Sequence, residues 1–190
     1  MQLTRTSLLL LSLLCSFAVQ ASDWQYAGFA KIGQDDTFLF YDSEGVQRPG
    51  SKLARYWVKS MTRSNLDRYF QKHEKSLVEK TARKVAVGYV PRFYQLEAIR
   101  SQFPDAAALR DAIIEISSYE VVANEPGALL KHKLYFEIDC SERKSRVLEM
   151  ISYDSKGDIA RRGGSAQASY QFIPPDSNGE WQSQLICPNR

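Results

Sequence analysis

A short apolar run, Ser7 to Phe17, follows Arg5 near the start of the chain and includes Leu8, Leu9, Leu10, Leu11, Leu13 and Leu14. It is shorter than the roughly 20 residues that a membrane span requires. Val19-Gln20-Ala21 then offers small residues at the two positions a signal peptidase reads. Residues 1–21 therefore read as a cleavable leader, cut between Ala21 and Ser22. A lipid-modified Cys15 is the competing reading, but Leu14 stands where a small residue is wanted.

Export limits what the rest can fold into, because it places the chain where thiols oxidise. Removing the first 21 of 190 residues takes Cys15 away and leaves Cys140 and Cys187. Two cysteines in an exported chain are expected to pair as a structural disulfide. Their separation is far from CxxC, and only His73 and His132 are present to complete a metal site. No metal or cofactor is expected. The remaining 169 residues are ordinary size for one domain, residues 22–190. Loss of Arg5 lowers the net charge from +3 to +2, well short of the concentrated basic face that nucleic acid requires.

Asp23 to Ser60 reads as β-structure. Thr37-Phe38-Leu39-Phe40-Tyr41 is rich in strand formers, Asp42-Ser43-Glu44-Gly45 is turn chemistry, and Leu53 to Lys59 follows as a strand. The character then changes. Ser64 is placed to cap a helix, with Asp67 three residues on and Leu66, Tyr69, Phe70, His73 and Leu77 at helical spacing. This helix is expected to end near Gly88, with a break at Val90-Pro91-Arg92 and His73 packed on the apolar stripe. Asp105 is expected to cap a second helix carrying Leu109, Ala112, Ile113 and Ile116; Ser117 to Ala123 either continues it or turns extended.

The last third returns to β. Leu134, Phe136 and Ile138 alternate with Lys133, Glu137 and Asp139, which predicts one apolar and one polar face. Ser145 to Tyr153 forms a second strand, Asp154 to Asp158 a hairpin turn, and Ile159 starts a third strand. Gly163-Gly164-Ser165 reads as a solvated turn. Ser177, with Glu180, caps a short terminal helix carrying Trp181 and Leu185. The fold class is α+β: an antiparallel sheet with a helical insertion at about 62–130, a short C-terminal helix and one disulfide.

Catalytic signatures are weak. Any Ser-His-Asp arrangement must use one of two histidines, there is no G-x-S-x-G elbow, and the adjacent Asp35-Asp36 would face opposite ways on a strand. The chain reads as a non-enzyme. Arg143, Lys144, Arg146, Arg161 and Arg162 form either a solvated sheet edge, the better reading, or a patch for an acidic partner. Trp24, Tyr26, Tyr56 and Trp57 are expected to feed the core.

Several segments together resemble the surface-adhesin protein E-like family of exported bacterial proteins. Near the N-terminus these are Phe40-Tyr41-Asp42, Val46-Gln47-Arg48-Pro49-Gly50 and Tyr56-Trp57-Val58-Lys59. Toward the C-terminus they are Glu137-Ile138-Asp139-Cys140, Arg143, Arg146, Tyr153-Asp154 with Gly157, Ile173-Pro174-Pro175, Ser177 and Cys187. The likeness covers about residues 24–60 and 133–188; the helical segment departs from it. It implies an antiparallel sheet, a C-terminal helix joined by the disulfide, and adhesion to matrix or serum proteins at a bacterial surface. It carries over no ligand-binding residue. The expected function is an exported, protein-binding module in the periplasm or at the cell surface, its partner a host matrix protein or an envelope protein. The second reading is a periplasmic housekeeping, inhibitory or stress protein without a host target.

Overall fold

A computed structural model describes residues 22–32, 35–94, 104–165 and 167–187. Ala21 and Cys15, invoked for the leader, lie outside them; Ser22 is the first described residue. The strands β1 (Trp24–Ile32), β2 (Asp35–Asp42) and β3 (Leu53–Thr62) come first. The helices α1 (Arg63–Lys72), α2 (Lys75–Tyr94) and α3 (Ala106–Asn124) follow. The chain closes with β4 (His132–Asp139), β5 (Lys144–Tyr153), β6 (Ile159–Gly164), β7 (Gln171–Phe172) and α4 (Asn178–Ile186).

The fold is α+β. Strands β1 to β6 form an antiparallel meander in chain order, and β7 adds to the far end of β5. The helical segment is inserted between two strands that pair directly: Trp57 lies opposite Tyr135, and Lys59 opposite Lys133. Both faces of the sheet are partly covered. Phe38, Phe40 and Met61 meet Leu66, Val78, Tyr119 and Val122 from the inserted helices. On the other face Tyr41, Ala54, Tyr56, Val58 and Ile138 meet Ile173 and Ile186. Each such large apolar side chain contributes about 1.5–3 kcal/mol on burial. The disulfide joins Cys140, just after β4, to Cys187, the last residue of α4's cap, with Cα atoms 5.7 Å apart. Arg48, from the turn before β3, donates to the Ile186 carbonyl (2.7 Å) and ties a third segment to the same corner.

Short-range expectations hold where one side chain decides them. Asp105 accepts from the amides of Ala107 and Ala108, both at 2.8 Å, and Ser177 accepts from Glu180 at 3.2 Å. Asp154 and Gly157 close the hairpin with Gly157 at φ 92°, a conformation that favours glycine. The second inserted helix continues through Ser117 to Asn124.

Five expectations are corrected. Thr62, not Ser64, caps α1, because β3 delivers Thr62 in extended conformation with its hydroxyl 3.2 Å from the Asn65 amide. The expected single helix is two, interrupted at His73-Glu74, where His73 is extended. Its second part runs past Gly88 and Pro91 to Tyr94; proline there deletes only one amide donor within the final turn. His73 is exposed at the end of α1, stacked on Tyr69 at 4.1 Å, rather than packed in the core. Gly163 and Gly164 belong to β6 instead of a turn. A Cβ at Gly164 would come within 2.3 Å of the Leu148 carbonyl oxygen, so that strand passes where only glycine fits.

Candidate functional site

Alternation along β3 puts Arg55, Trp57, Lys59 and Met61 on one face. Register then aligns their neighbours on β4 and β5: Lys133 with Ile151, Tyr135 with Glu149, and Glu137 with Arg146. The inserted helices cover this face over β1 and β2 but leave it half-exposed over β4 to β6. The residues expected to form a polar, solvated strand face instead build a dense network.

At its centre the Glu137 carboxylate has no exposed side-chain surface. Arg55 Nε donates to Oε2 at 2.6 Å. Oε1 receives Arg146 Nε at 2.8 Å and Nη2 at 2.5 Å, and the Tyr170 hydroxyl at 2.5 Å. Burial alone would raise this carboxyl. The hydrogen bonds from Tyr170, Arg55 and Arg146, with the Arg146 charge, outweigh it and hold the group below the usual carboxylate range. Arg146 also lies 4.5 Å from the centre of the Tyr170 ring, which pins the segment after β6 across β5.

Beside this network the Trp57 and Tyr135 rings stack at 4.8 Å. Lys133 Nζ sits 4.7 Å from the Trp57 ring centre and 5.4 Å from that of Trp24. No carboxylate among the described residues lies within 4.0 Å of it. Its neighbour Lys59 is buried, 4.2 Å from the Trp24 ring centre, and donates to the Ala123 carbonyl at the end of α3. Burial, with Lys133 adding to it and Asp42 opposing it, pulls Lys59 down to about 7. At the sheet's edge Arg162 Nε meets Glu149 Oε1 at 2.6 Å, while Arg161 has no ion-pair partner among the described residues. Arg55 and Arg146 are thus neutralised internally, and Lys133 presents uncompensated charge beside flat aromatic surface. Such a face can hold carboxylates.

The histidines do not assemble a catalytic group. His132 Nδ1 is 3.1 Å from Ser152 Oγ, directly across the β4–β5 pair, and no carboxylate among the described residues orients the ring. Burial, with Lys131, pushes His132 below its ordinary value. His73 caps the C-terminal end of α1, apart from that pair. Among the described residues no group of three or more His, Cys, Asp or Glu is placed to hold a metal ion. No helix among them is long and apolar enough to cross a membrane.

One cavity of about 380 Å³ opens between the inserted helices, lined by Arg63, Phe70, Glu79, Glu115 and Tyr119 among others. Its charges largely answer one another: Arg63 faces Glu115 at 3.6 Å and Lys75 faces Glu79 at 3.8 Å. Burial raises Glu120, behind it on α3, to about 8, with Asp23 adding to the shift and a hydrogen bond with the Tyr26 backbone opposing it.

The expected aromatics separate in the structure. Trp24 and Tyr56 are core, Tyr26 packs against it, and Trp57 is shared between core and open face. Arg143 pairs with Glu180 on α4 rather than joining the sheet-face cluster. Sequence reading missed Glu137 as an organising group, together with Arg55, Lys133 and Tyr170. Their signal is the cross-strand order Arg–Glu–Arg, visible only once register is known. The chain matches no protein-family model, no curated protein and no solved structure.

Proposed function

We propose that this chain is an exported, non-enzymatic protein-binding module of the kind the surface-adhesin protein E-like resemblance implies, using the β3–β6 face for contact. The observation that carries this reading is Lys133. It is a cation held over the Trp57 ring with no counter-ion among the described residues, on a sheet face that the molecule's own helices leave half open. Stacked aromatics flanked by cations are typical of contact surfaces rather than of solvated ones. The disulfide supports an oxidising compartment.

The test is a binding array of immobilised matrix and serum proteins probed with the purified mature chain. Lys133→Glu is expected to weaken capture at least tenfold while lowering the thermal midpoint by only about 2–4 °C, the loss of its contacts with the Trp57 and Trp24 rings. Capture that is insensitive to this substitution would move the contact elsewhere on the molecule.

A further inference from the structure

The two edges of the sheet are treated differently. Strand β1 is guarded: α4 packs against it, and Asn178 Nδ2 donates to the Phe29 carbonyl at 2.8 Å. Among the described residues strand β6 pairs only with β5, and all six residues of β6 are exposed. Its outer row of backbone donors and acceptors therefore faces solvent along Ile159–Gly164. An open edge of this kind is a template for a further strand.

Charge selects the occupant. Arg161 and Arg162 are adjacent, so they point to opposite faces of the sheet, and an added strand would meet a cation on each side. Arg162 is half-answered by Glu149, but Arg161 has no ion-pair partner among the described residues. Lys133 lies on the Arg162 side, two strands in and therefore about 10 Å away. Pairing with β6 of a second copy would set these arginines against their own kind, which disfavours self-association. Beyond them Gly163 has nothing within 4 Å of a Cβ position, so the approach is sterically open. At the opposite end Ile159 is 60% exposed and offers one apolar contact.

We infer that β6 is a docking edge for an extended acidic peptide segment of a partner protein, which joins the sheet by strand addition with carboxylates at the positions facing Arg161 and Arg162. This inference rests on the binding-module reading above and specifies its partner.

The probe is a ten-residue synthetic peptide carrying two adjacent glutamates within a valine-rich strand sequence, with a counterpart carrying two lysines in their place as control. Fluorescence anisotropy is expected to show binding of the glutamate peptide that weakens with salt, and no binding of the lysine peptide. Hydrogen exchange is expected to slow within residues 159–164 when the glutamate peptide is present. Arg161→Glu, which breaks no ion pair, should weaken binding at least fivefold with an unchanged thermal midpoint, and Arg161→Lys should restore most of it. Equal binding of both peptides overturns the inference, as does binding without slower exchange in β6. If the glutamate peptide fails while the protein array still shows Lys133-dependent capture, the edge assignment falls and the module reading stands. If both fail, both fall.

Discussion

Replacing both Cys140 and Cys187 with alanine is expected to cost about 4 kcal/mol of stability by the chain-entropy estimate, because the disulfide closes a loop of sequence separation 47. For a protein of this size that corresponds to a fall of about 8–16 °C in the thermal midpoint. The bond stabilises by restricting the unfolded chain, but it also has a folded-state role. Cys187 is buried in the second core cluster with Ile186 and Ile173, and Arg48 binds the carbonyl beside it. Without the bond, α4 is held to the sheet only by contacts such as Tyr56 Oη to Gln182 Oε1 at 3.1 Å. Thermal melts of the double variant, and of the wild type with and without reductant, check this. The reduced wild type and the double variant should melt together. An oxidised wild type with the same midpoint as the variant would contradict the assignment.

Glu137→Gln is expected to cost about 3 kcal/mol, the low end for breaking a buried ion pair, since Arg55 and Arg146 are partly exposed and regain some water. The change keeps shape but leaves two guanidinium groups and the Tyr170 hydroxyl around a neutral amide. It also alters the pH profile. Because the folded carboxyl is held below its unfolded value of about 4.3, its contribution is present above that pH and is lost as pH falls through the folded value. The wild type should therefore lose stability below about pH 4 more steeply than the variant, and the two curves should converge in acid. Denaturant titrations at neutral and acid pH measure this; parallel curves would mean that Glu137 does not stay ionised in the fold. Replacing Arg55, Glu137 and Arg146 together by apolar residues should recover much of the loss, since no charge is then left unpaired.

These two centres differ in how far the sequence reveals them. The disulfide follows from the expectation of export, which leaves Cys140 and Cys187 as a pair once the expected leader is removed, so no geometry is required. Caps such as Asp105 and Ser177 are equally legible, because the bond they make lies within three residues. The Glu137 network is not legible from local pattern. Its members come from β3, β4, β5 and the segment after β6, and Arg55 meets Glu137 only because a helical insertion returns the chain to pair β4 directly with β3. Period-two reading assigns Lys133, Glu137 and Asp139 to one polar face but cannot say that this face is shared with arginines and aromatics. The break between α1 and α2 escapes for a related reason: apolar spacing runs straight through His73, and only the extended His73 backbone reveals the interruption. In the same way, Arg161 and Arg162 are visible as charge, but their standing on an unpaired edge depends on β6 being last in the sheet.

The disulfide-closed binding module is proposed to be exported and to meet its partner outside the cell. Protease shaving of intact cells expressing the full chain, with a known periplasmic protein as control, tests it most directly. The account predicts that a protein beginning at Ser22 is digested while the control survives. Protection of the chain until the outer membrane is opened, or retention of residues 1–21 in the cytoplasm, would contradict it.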